Sequence, residues 1–368
     1  RNNEVKAIYR VLKSETSIYL AAPRRVGKTS ILRHLEEKPE EGYYFVYVIT
    51  ESIDDTNEFF KILYESIIAS KAIEQIKKVA AKLMGKAKAL VEIIEEAGSI
   101  KFRESKEIDY HKRLIDLFTH LNKEIGRLVV MIDEFPQTIQ NILDKSGVGE
   151  ARTFLQKNRE LRLSDNVLGK VNFIYTGSVS LFPMVEKVMD LNVINDPKTV
   201  DVPPLEPNEA KIFINLLMEE ETRKLNDETL NYIVKKIKWL IPFHLQLIQV
   251  EILEILEAGK KETEEVVDEA FDKIANVRNK PQFDPYFTRL KRIFKSNEYD
   301  FVMEILMHIA SNDTIEENVL NDLKTKYEIL DMKIIIGILE SDGYIVKEKN
   351  VYRYVSPILQ LWCKKHFC

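Results

Sequence analysis

The stretch Ala22-Pro23-Arg24-Arg25-Val26-Gly27-Lys28-Thr29 decides the fold class of this 368-residue chain. It matches the phosphate-loop pattern, with Ala22 in place of the usual first glycine. In such a loop, backbone N–H groups point inward around a phosphate at the start of a helix. Gly27 lets the backbone approach the phosphate, Lys28 reaches the β- and γ-phosphates, and Thr29 places its hydroxyl on Mg²⁺. Together with Ser30, which follows, the whole stretch is predicted to bind nucleotide.

The regions flanking this loop fit a phosphate-binding fold. The apolar run Ser17–Ala21 predicts a strand before the loop, and the spacing of Thr29–Leu35 predicts a helix after it. Further strands are predicted at Tyr43–Ile49, Leu128–Ile132 and Val171–Tyr175. The run 128–132 is almost entirely apolar, which is typical of a strand buried on both faces of a parallel sheet. The alternation of strands and helices predicts an α/β fold with a parallel sheet.

A second motif supports the first. The strand residues Val129-Val130-Met131-Ile132 run directly into Asp133 and Glu134. Ligands of α/β proteins lie at the carboxyl ends of the strands, where these two acids are expected. Asp133 is predicted to hold Mg²⁺ together with Thr29, and Glu134 to orient and deprotonate the attacking water. Glu134, Lys28 and Asp133 are therefore the predicted catalytic residues of a Mg²⁺-dependent nucleotide hydrolase.

Composition narrows the alternatives. Fifty-four basic and 59 acidic residues give a net charge of −5, so the chain as a whole is not a basic nucleic-acid coat. The two cysteines, Cys363 and Cys368, form no disulfide framework, which fits a reducing compartment. No apolar run is long enough to span a membrane, so we expect a cytoplasmic protein with no membrane partner. Because the chain starts at Arg1 and not at Met, we also expect residues upstream.

Four segments are predicted along the chain. Residues 1–201 form the nucleotide-binding core, and the proline-stiffened hinge Val202–Pro207 opens an all-helical lid over residues 202–275. Residues 276–297 are read as a connector. Residues 298–368 read as three helices and two short strands, Tyr344–Val346 and Val351–Val355, which is the order of a winged helix-turn-helix domain.

The chain resembles the archaeal-ATPase group of P-loop NTPases, which are relatives of the AAA+ and STAND ATPases. The matching pieces span nearly the whole chain. They are Arg1–Glu4, Pro23–Ser30, Asp133-Glu134-Phe135, Thr176-Gly177-Ser178, Pro204-Leu205 and the hairpin region from Leu339 to Tyr354. The resemblance implies an ATPase core, a helical lid and a winged helix, with ATP as the nucleotide and slow turnover.

The resemblance also implies roles for residues outside the two main motifs. Thr176 or Ser178 would sense the γ-phosphate. Pro242 would touch the nucleotide from the lid, although the glycine of the family's Gly-x-Pro motif is replaced here by a bulky residue. An arginine from a neighbouring subunit would complete the site, and the candidates, which also fit a solvated helix face, are Arg152, Arg159 and Arg162.

Three other side chains near these motifs keep two interpretations. Arg24 and Arg25 either touch phosphate or a lid acid, or pair structurally with a carboxylate. His244 is interpreted as a core or lid histidine in preference to a phosphate ligand.

Charge decides how the winged helix is interpreted. Residues 298–368 hold eight basic and twelve acidic residues, and the candidate recognition helix Asp331–Ser341 carries Lys333 as its one base. Because contacts with phosphates need Lys and Arg, DNA reading by this helix is not favoured. Two basic stretches remain. The first is interpreted as a solvated amphipathic helix, with an acidic partner as the alternative, and the second as cover for an acidic neighbour. They are the lysines 71, 77, 78, 82, 86 and 88, and the connector with Arg278, Lys280, Arg289, Lys291, Arg292 and Lys295.

Three hypotheses follow for the function. The leading one is an ATP-driven conformational switch, in which the hinge at Pro203-Pro204 transmits lid movement and the output is a protein partner or a homo-oligomer. The second is a DNA-associated ATPase resembling origin-recognition or transposition-regulator ATPases, which would use the basic helix near Lys78. The third is a nucleotide-gated scaffold that binds ATP without turnover.

Overall fold

The computed structural model describes residues 1–82, 108–177, 181–294 and 296–368. The chain divides into two compact units. The first comprises Arg1–Ala22 and Lys28–Val202, and the second comprises Pro23–Gly27 and Pro203–Cys368.

The first unit is built on a five-stranded parallel sheet with the order β2-β3-β4-β1-β5. Its strands are β1 (Ile18–Ala21), β2 (Tyr43–Ile49), β3 (Arg127–Asp133), β4 (Val171–Thr176) and β5 (Lys198–Asp201). The α/β fold with a parallel sheet is confirmed. β5 was not predicted, because it lies at the sheet edge and buries Val200 alone among its four residues.

The helices of the first unit include the one predicted after the phosphate loop, which is present as α2 (Lys28–Glu37). The others are α1 (Asn2–Lys13), α3 (Thr56–Ile68), α4 (Lys71–Lys82), α5 (Tyr110–Thr119), α6 (Phe135–Leu163) and α7 (Leu181–Glu186). α3 and α4 are separate helices, and residues 83–107 lie outside the described residues. The backbone of α6 is interrupted at Gly147, where φ is 81°.

The core of the first unit lies on both faces of β3. Its residues from Leu128 to Ile132 are at most 1% exposed, as the apolar run predicts. Aromatic rings tie α3 and α6 to β4. The ring of Phe59 meets that of Phe154 edge-on at 4.8 Å, and the rings of Phe135 and Tyr175 are 4.7 Å apart. This packing fixes the start of α6, where the second motif ends.

The second unit begins with helices, as predicted. They are α8 (Pro207–Glu220), α9 (Asp227–Ile237), α10 (Pro242–Glu257), α11 (Glu264–Ile274) and α12 (Lys280–Ile293). Residues 280–293 of the predicted connector form α12, which contains Pro285. The buried residues Phe283, Phe287 and Leu290 nevertheless recur at helical spacing.

The C-terminal part of the second unit holds helices and a small sheet. The elements are α13 (Asn297–Asn312), β6 (Ile315–Glu316), α14 (Glu317–Lys326), α15 (Met332–Ser341), β7 (Ile345–Glu348), β8 (Val351–Tyr354) and α16 (Pro357–His366). The sheet is antiparallel, with the order β6-β8-β7. The predicted three helices and two strands are present, while β6 and α16 were not predicted. The identity of this part as a winged helix stays a prediction.

Buried aromatic side chains hold α12 against α16. The ring of Phe283 stacks on that of Trp362 with their centroids 4.6 Å apart. Cys363 is buried beside Trp362, and burial raises the pKa of its thiol to about 12, so the thiol stays protonated and unreactive. Among the helices that the structure describes, none is long and apolar enough to cross a membrane.

Candidate functional site: a phosphate loop and two acids

The phosphate loop connects β1 to α2 and has the backbone that the motif requires. Arg25 and Gly27 both have left-handed conformations, with φ of 60° and 104°. An added side chain at Gly27 would meet no atom within 4 Å, so glycine is favoured there by backbone conformation and not by space. The Lys28 ammonium donates to the carbonyl of Ala22 over 2.8 Å and so lies across the base of the loop.

The two motifs meet at the carboxyl edge of the sheet. The Thr29 hydroxyl donates to Asp133 Oδ2 over 3.2 Å, although the two residues are 104 positions apart in the chain. Asp133 is 6% exposed, and its Oδ1 accepts the backbone N–H of Glu134 over 3.1 Å. The predicted Mg²⁺-binding residues therefore contribute oxygen ligands at one place, which is the ligand chemistry that Mg²⁺ takes.

Sequence reasoning missed a third member of this group. The Tyr47 hydroxyl donates to Asp133 Oδ2 over 2.7 Å. Burial raises the pKa of Tyr47, and the hydrogen bond to Asp133 raises it further, so the hydroxyl remains a donor. In the parallel register Ile49 lies opposite Asp133, and Tyr47 lies two residues earlier on the same face of β2. The strand register is the one signal that would have pointed to Tyr47, and the sequence alone does not give this register.

Glu134 stands at the turn between β3 and α6. Its backbone is left-handed, with φ of 62°, and it caps the start of α6, which has a proline in its first turn. A side chain at Gly177 would come within 2.6 Å of Pro136 and 3.5 Å of the Glu134 carboxylate. The glycine at the end of β4 thus leaves room for Pro136, in the first turn of α6, while the Glu134 carboxylate lies at ordinary contact distance. A strained backbone at a polar strand end is typical of a functional position.

β4, which ends in Thr176, lies between the strands that carry the two motifs. Thr176 is fully buried, and its hydroxyl donates to the carbonyl of Leu20 on β1 over 3.3 Å. It is thereby held at the sheet edge next to the phosphate-loop strand. Ser178, the other predicted sensor, lies outside the described residues. Ser30 is exposed on α2 and is not part of the group formed by Thr29, Asp133 and Tyr47.

The remaining loop residues pack inside the second unit. Arg24 donates to the carbonyl of Pro285 on α12 over 3.1 Å, and the Arg25 guanidinium stacks on the Phe243 ring at 3.8 Å. Val26 is fully buried. Among the described residues, no carboxylate pairs with either arginine. Of the two interpretations, pairing with a carboxylate is therefore not seen there, and contact with phosphate or a lid acid stays a prediction.

Two lid residues adjoin this loop segment. Pro242 is half-buried at the start of α10, one residue before the ring that stacks on Arg25. His244 is fully buried, and burial lowers the pKa of its imidazole to about 3. A neutral, buried ring is a core residue and not a cationic phosphate ligand, as interpreted from the sequence.

The three candidate arginines on α6 differ sharply. Arg162 is 4% exposed and forms a two-pronged pair with Asp196, with N–O distances of 2.7 and 2.8 Å. It is thus neither on a solvated face nor available to another subunit, so both interpretations of this residue were wrong. Arg152 is exposed and Arg159 half-buried, and both remain candidates.

The basic stretch on α4 is only partly described. Lys71 and Lys78 are exposed and Lys77 is half-buried, while Ile73 and Ile76 are buried. The amphipathic helix predicted there is confirmed over these residues. The side chain of Lys82, and Lys86 and Lys88 altogether, lie outside the described residues.

The chain has a phosphate loop after β1, two acids at the end of β3, and β4 between these two strands in a parallel sheet. These features define a P-loop ATPase. Residues 5–181, a little under half of the chain and including both motifs, match the model of the family described as predicted AAA-ATPase. A comparison with curated proteins gives no match.

Solved structures agree with this fold over nearly the full chain. The Walker-type ATPase PABY2304 of Pyrococcus abyssi is similar with a TM-score of 0.63 and 17% identity, over 99% of this chain and 95% of that one. The ORC2 protein of Aeropyrum pernix, in its ADPNP-ADP complexes, is similar with a TM-score of 0.52 and 14% identity, over 98% of this chain and 91% of that one. At such identities the similarity concerns the fold alone.

Proposed function

We propose that the chain binds ATP with Mg²⁺, hydrolyses it slowly and acts as a nucleotide-dependent switch that controls a protein partner or assembly. The observation that carries the proposal is the hydrogen bond between Thr29 and Asp133, which joins the two motifs. A chance Gly-Lys-Thr sequence would have no reason to lie against a buried carboxylate at the end of another strand.

Each residue of the motifs then has a task. The Lys28 ammonium, which donates to the Ala22 carbonyl across the base of the loop, donates to phosphate oxygens instead when the nucleotide binds. Thr29 and Asp133 hold Mg²⁺, and Tyr47 fixes the Asp133 carboxylate by its hydrogen bond. Bound Mg²⁺ supplies positive charge against the phosphates.

Two further residues act on the water and the terminal phosphate. Glu134, held in a left-handed turn, accepts a proton from the attacking water. Thr176, whose hydroxyl is fixed at the end of β4, contacts the terminal phosphate.

A protein partner is favoured over DNA by the second unit. The apolar side chains of the candidate recognition helix, α15, face its interior, with Ile335, Ile338 and Leu339 at most 3% exposed. Lys333 is its single exposed base. DNA association keeps support from the exposed lysines 71 and 78 on α4 and is therefore included in the test.

The test is Mg²⁺-dependent phosphate release from ATP by the purified chain. Glu134→Gln should lower kcat roughly 10²- to 10⁴-fold and leave ATP binding intact. Glu37→Gln is the matched control. It removes the same charge from an exposed acid at the end of α2, away from the motifs. Equal rates for wild type and Glu134→Gln would refute the assigned role.

Two further arms separate the alternatives. ATP binding without release by wild type would favour the scaffold. Strong stimulation by duplex DNA at low salt, lost on Lys71→Glu with Lys78→Glu, would favour the DNA-associated ATPase. Rates that DNA leaves unchanged would direct the search for partners to proteins.

A further inference from the structure

A cavity of about 280 Å³ lies within the second unit, between α12, the start of α13 and α16. Aromatic side chains form much of its wall, and they come from Phe287, Tyr299, Trp362, His366 and Phe367. A cavity of roughly 150 Å³ already holds one benzene ring, so this one has room for a ring with a short polar chain. The first requirement of a small-molecule site, a concave space with apolar walls, is therefore met.

Trp362 contributes a buried donor to the wall of this cavity. Phe283 and His366 both stack on its indole ring, with centroids 4.6 and 3.9 Å away, so both faces are covered and the ring edge is left. His366 is itself engaged, since its Nε2 lies 2.9 Å from the carbonyl oxygen of Ala275. Among the described residues, Trp362 Nε1 has no hydrogen-bond partner. An unmade hydrogen bond of a buried donor costs free energy, so a ligand that brings an acceptor to this ring edge is favoured.

The Lys and Asp side chains that line the cavity leave a surplus of one positive charge. Lys280 Nζ lies 3.8 Å from Asp284 Oδ2, so these two charges offset each other. Lys291 is exposed and has no carboxylate partner among the described residues, and its Nζ lies 5.4 Å from the centre of the Tyr299 ring. A single cation without a carboxylate matches a ligand that carries one negative charge.

We propose that this cavity binds a small aromatic carboxylate. The ring of the ligand packs against Phe287 and Phe367 and removes apolar surface from water. Its carboxylate pairs with the Lys291 ammonium, and carboxylate oxygens are the acceptors that the Trp362 N–H lacks. A neutral aromatic compound would leave Lys291 without a counter-charge, and a phosphate group would bring close to two negative charges against one. The site goes beyond the proposed function, because it lies outside both motifs and needs no nucleotide.

The test measures the binding of three ligands to the full chain without nucleotide, by ligand-observed NMR titration. Phenylacetate, which has one ring and one carboxylate, should bind with a Kd of roughly 1 mM or lower, as a ligand of this size can. Phenylacetamide is the neutral analogue, and cyclohexylacetate keeps the charge without the aromatic ring. Each of these two should bind roughly fivefold more weakly or worse, because each lacks one of the two features that the cavity recognises.

A pair of variants on α12 tests the charge. Lys291→Met keeps the stem of an exposed side chain and removes its ammonium group. It should weaken phenylacetate binding roughly fivefold or more and leave phenylacetamide binding unchanged. Arg292→Met is the matched control, because Arg292 is the next residue, is also exposed and does not line the cavity. This control should bind phenylacetate as wild type does.

A further variant fills the cavity. Thr288 lines it from an exposed position, so Thr288→Phe adds a ring there without entering the core. This variant should lose the binding of all three ligands and keep the wild-type Tm. The proposal is overturned if wild type binds no phenylacetate up to about 10 mM, or if Lys291→Met and Thr288→Phe bind it as wild type does. Equal affinities for phenylacetate and either analogue would overturn it as well. None of these results depends on ATP, so failure of the proposed function is distinguishable.

Discussion

The buried pair of Arg162 and Asp196 allows a quantitative prediction that also decides a functional question. Arg162 Nη1 donates to Asn158 Oδ1 over 2.6 Å and Nη2 to the carbonyl of Val193 over 2.8 Å, in addition to the two bonds to Asp196. Arg162→Met keeps the length of the side chain and removes every one of these bonds.

The expected cost follows from what the variant leaves behind. Removing one partner of a buried ion pair costs about 3–5 kcal/mol, mostly because the other charge stays uncompensated. The Asp196 side chain is 18% exposed, so water reaches it and the low end, about 3 kcal/mol, applies. For a unit of this size, that loss lowers Tm by roughly 6–12 °C.

Thermal and urea unfolding of three variants provide the assay. Arg159→Met, one turn earlier on α6 and half-buried, should change stability by less than about 0.5 kcal/mol. Arg162→Met with Asp196→Asn should recover part of the loss, since the uncompensated charge is gone. A loss of stability below about 1 kcal/mol for Arg162→Met, together with loss of ATP turnover, would show that Arg162 acts in the reaction and would refute this reasoning.

Two further predictions concern pH and the Mg²⁺ site. Because His244 titrates near 3 when folded and near 6.5 when unfolded, only the unfolded state binds the proton between these values, so stability falls as pH drops below 6.5. Urea unfolding should therefore give a free energy of unfolding about 2 kcal/mol lower at pH 5 than at pH 7. The prediction would be contradicted if the stability of His244→Gln depended on pH in the same way as that of wild type. Tyr47→Phe removes a donor to Asp133 and should raise the Mg²⁺ concentration for half-maximal phosphate release roughly ten- to a hundredfold. An unchanged Mg²⁺ titration would show that the hydroxyl does not support the metal site.

The sequence predicted most of the parallel sheet because its strands are continuous apolar or β-branched runs. β2 matches its predicted bounds, and β3 is extended by one residue at each end. The miss of β5 has a local cause, since this strand has a single buried residue at the sheet edge.

The residues of the candidate site that belong to a sequence motif were predicted. Those whose position depends only on packing were not. Lys28, Thr29 and Asp133 were identified by spacing around a glycine and by a strand end. Tyr47 and Arg162 act through partners that are 86 and 34 positions away, and no local pattern marks either. Long-range register and packing are the information that the sequence lacked.

Counting charges along the sequence has the same limit, because the count does not show which charges are paired in the fold. The connector was predicted to carry a surplus of positive charge and to cover acidic neighbours. Arg278 pairs with Glu251 and with Glu254, the latter over 3.0 Å, and Lys280 lies 3.8 Å from Asp284. These pairs use up much of the surplus locally. Among the described residues, Arg24 and Arg25 of the phosphate loop also have no carboxylate partner, since one donates to a backbone carbonyl and the other stacks on an aromatic ring.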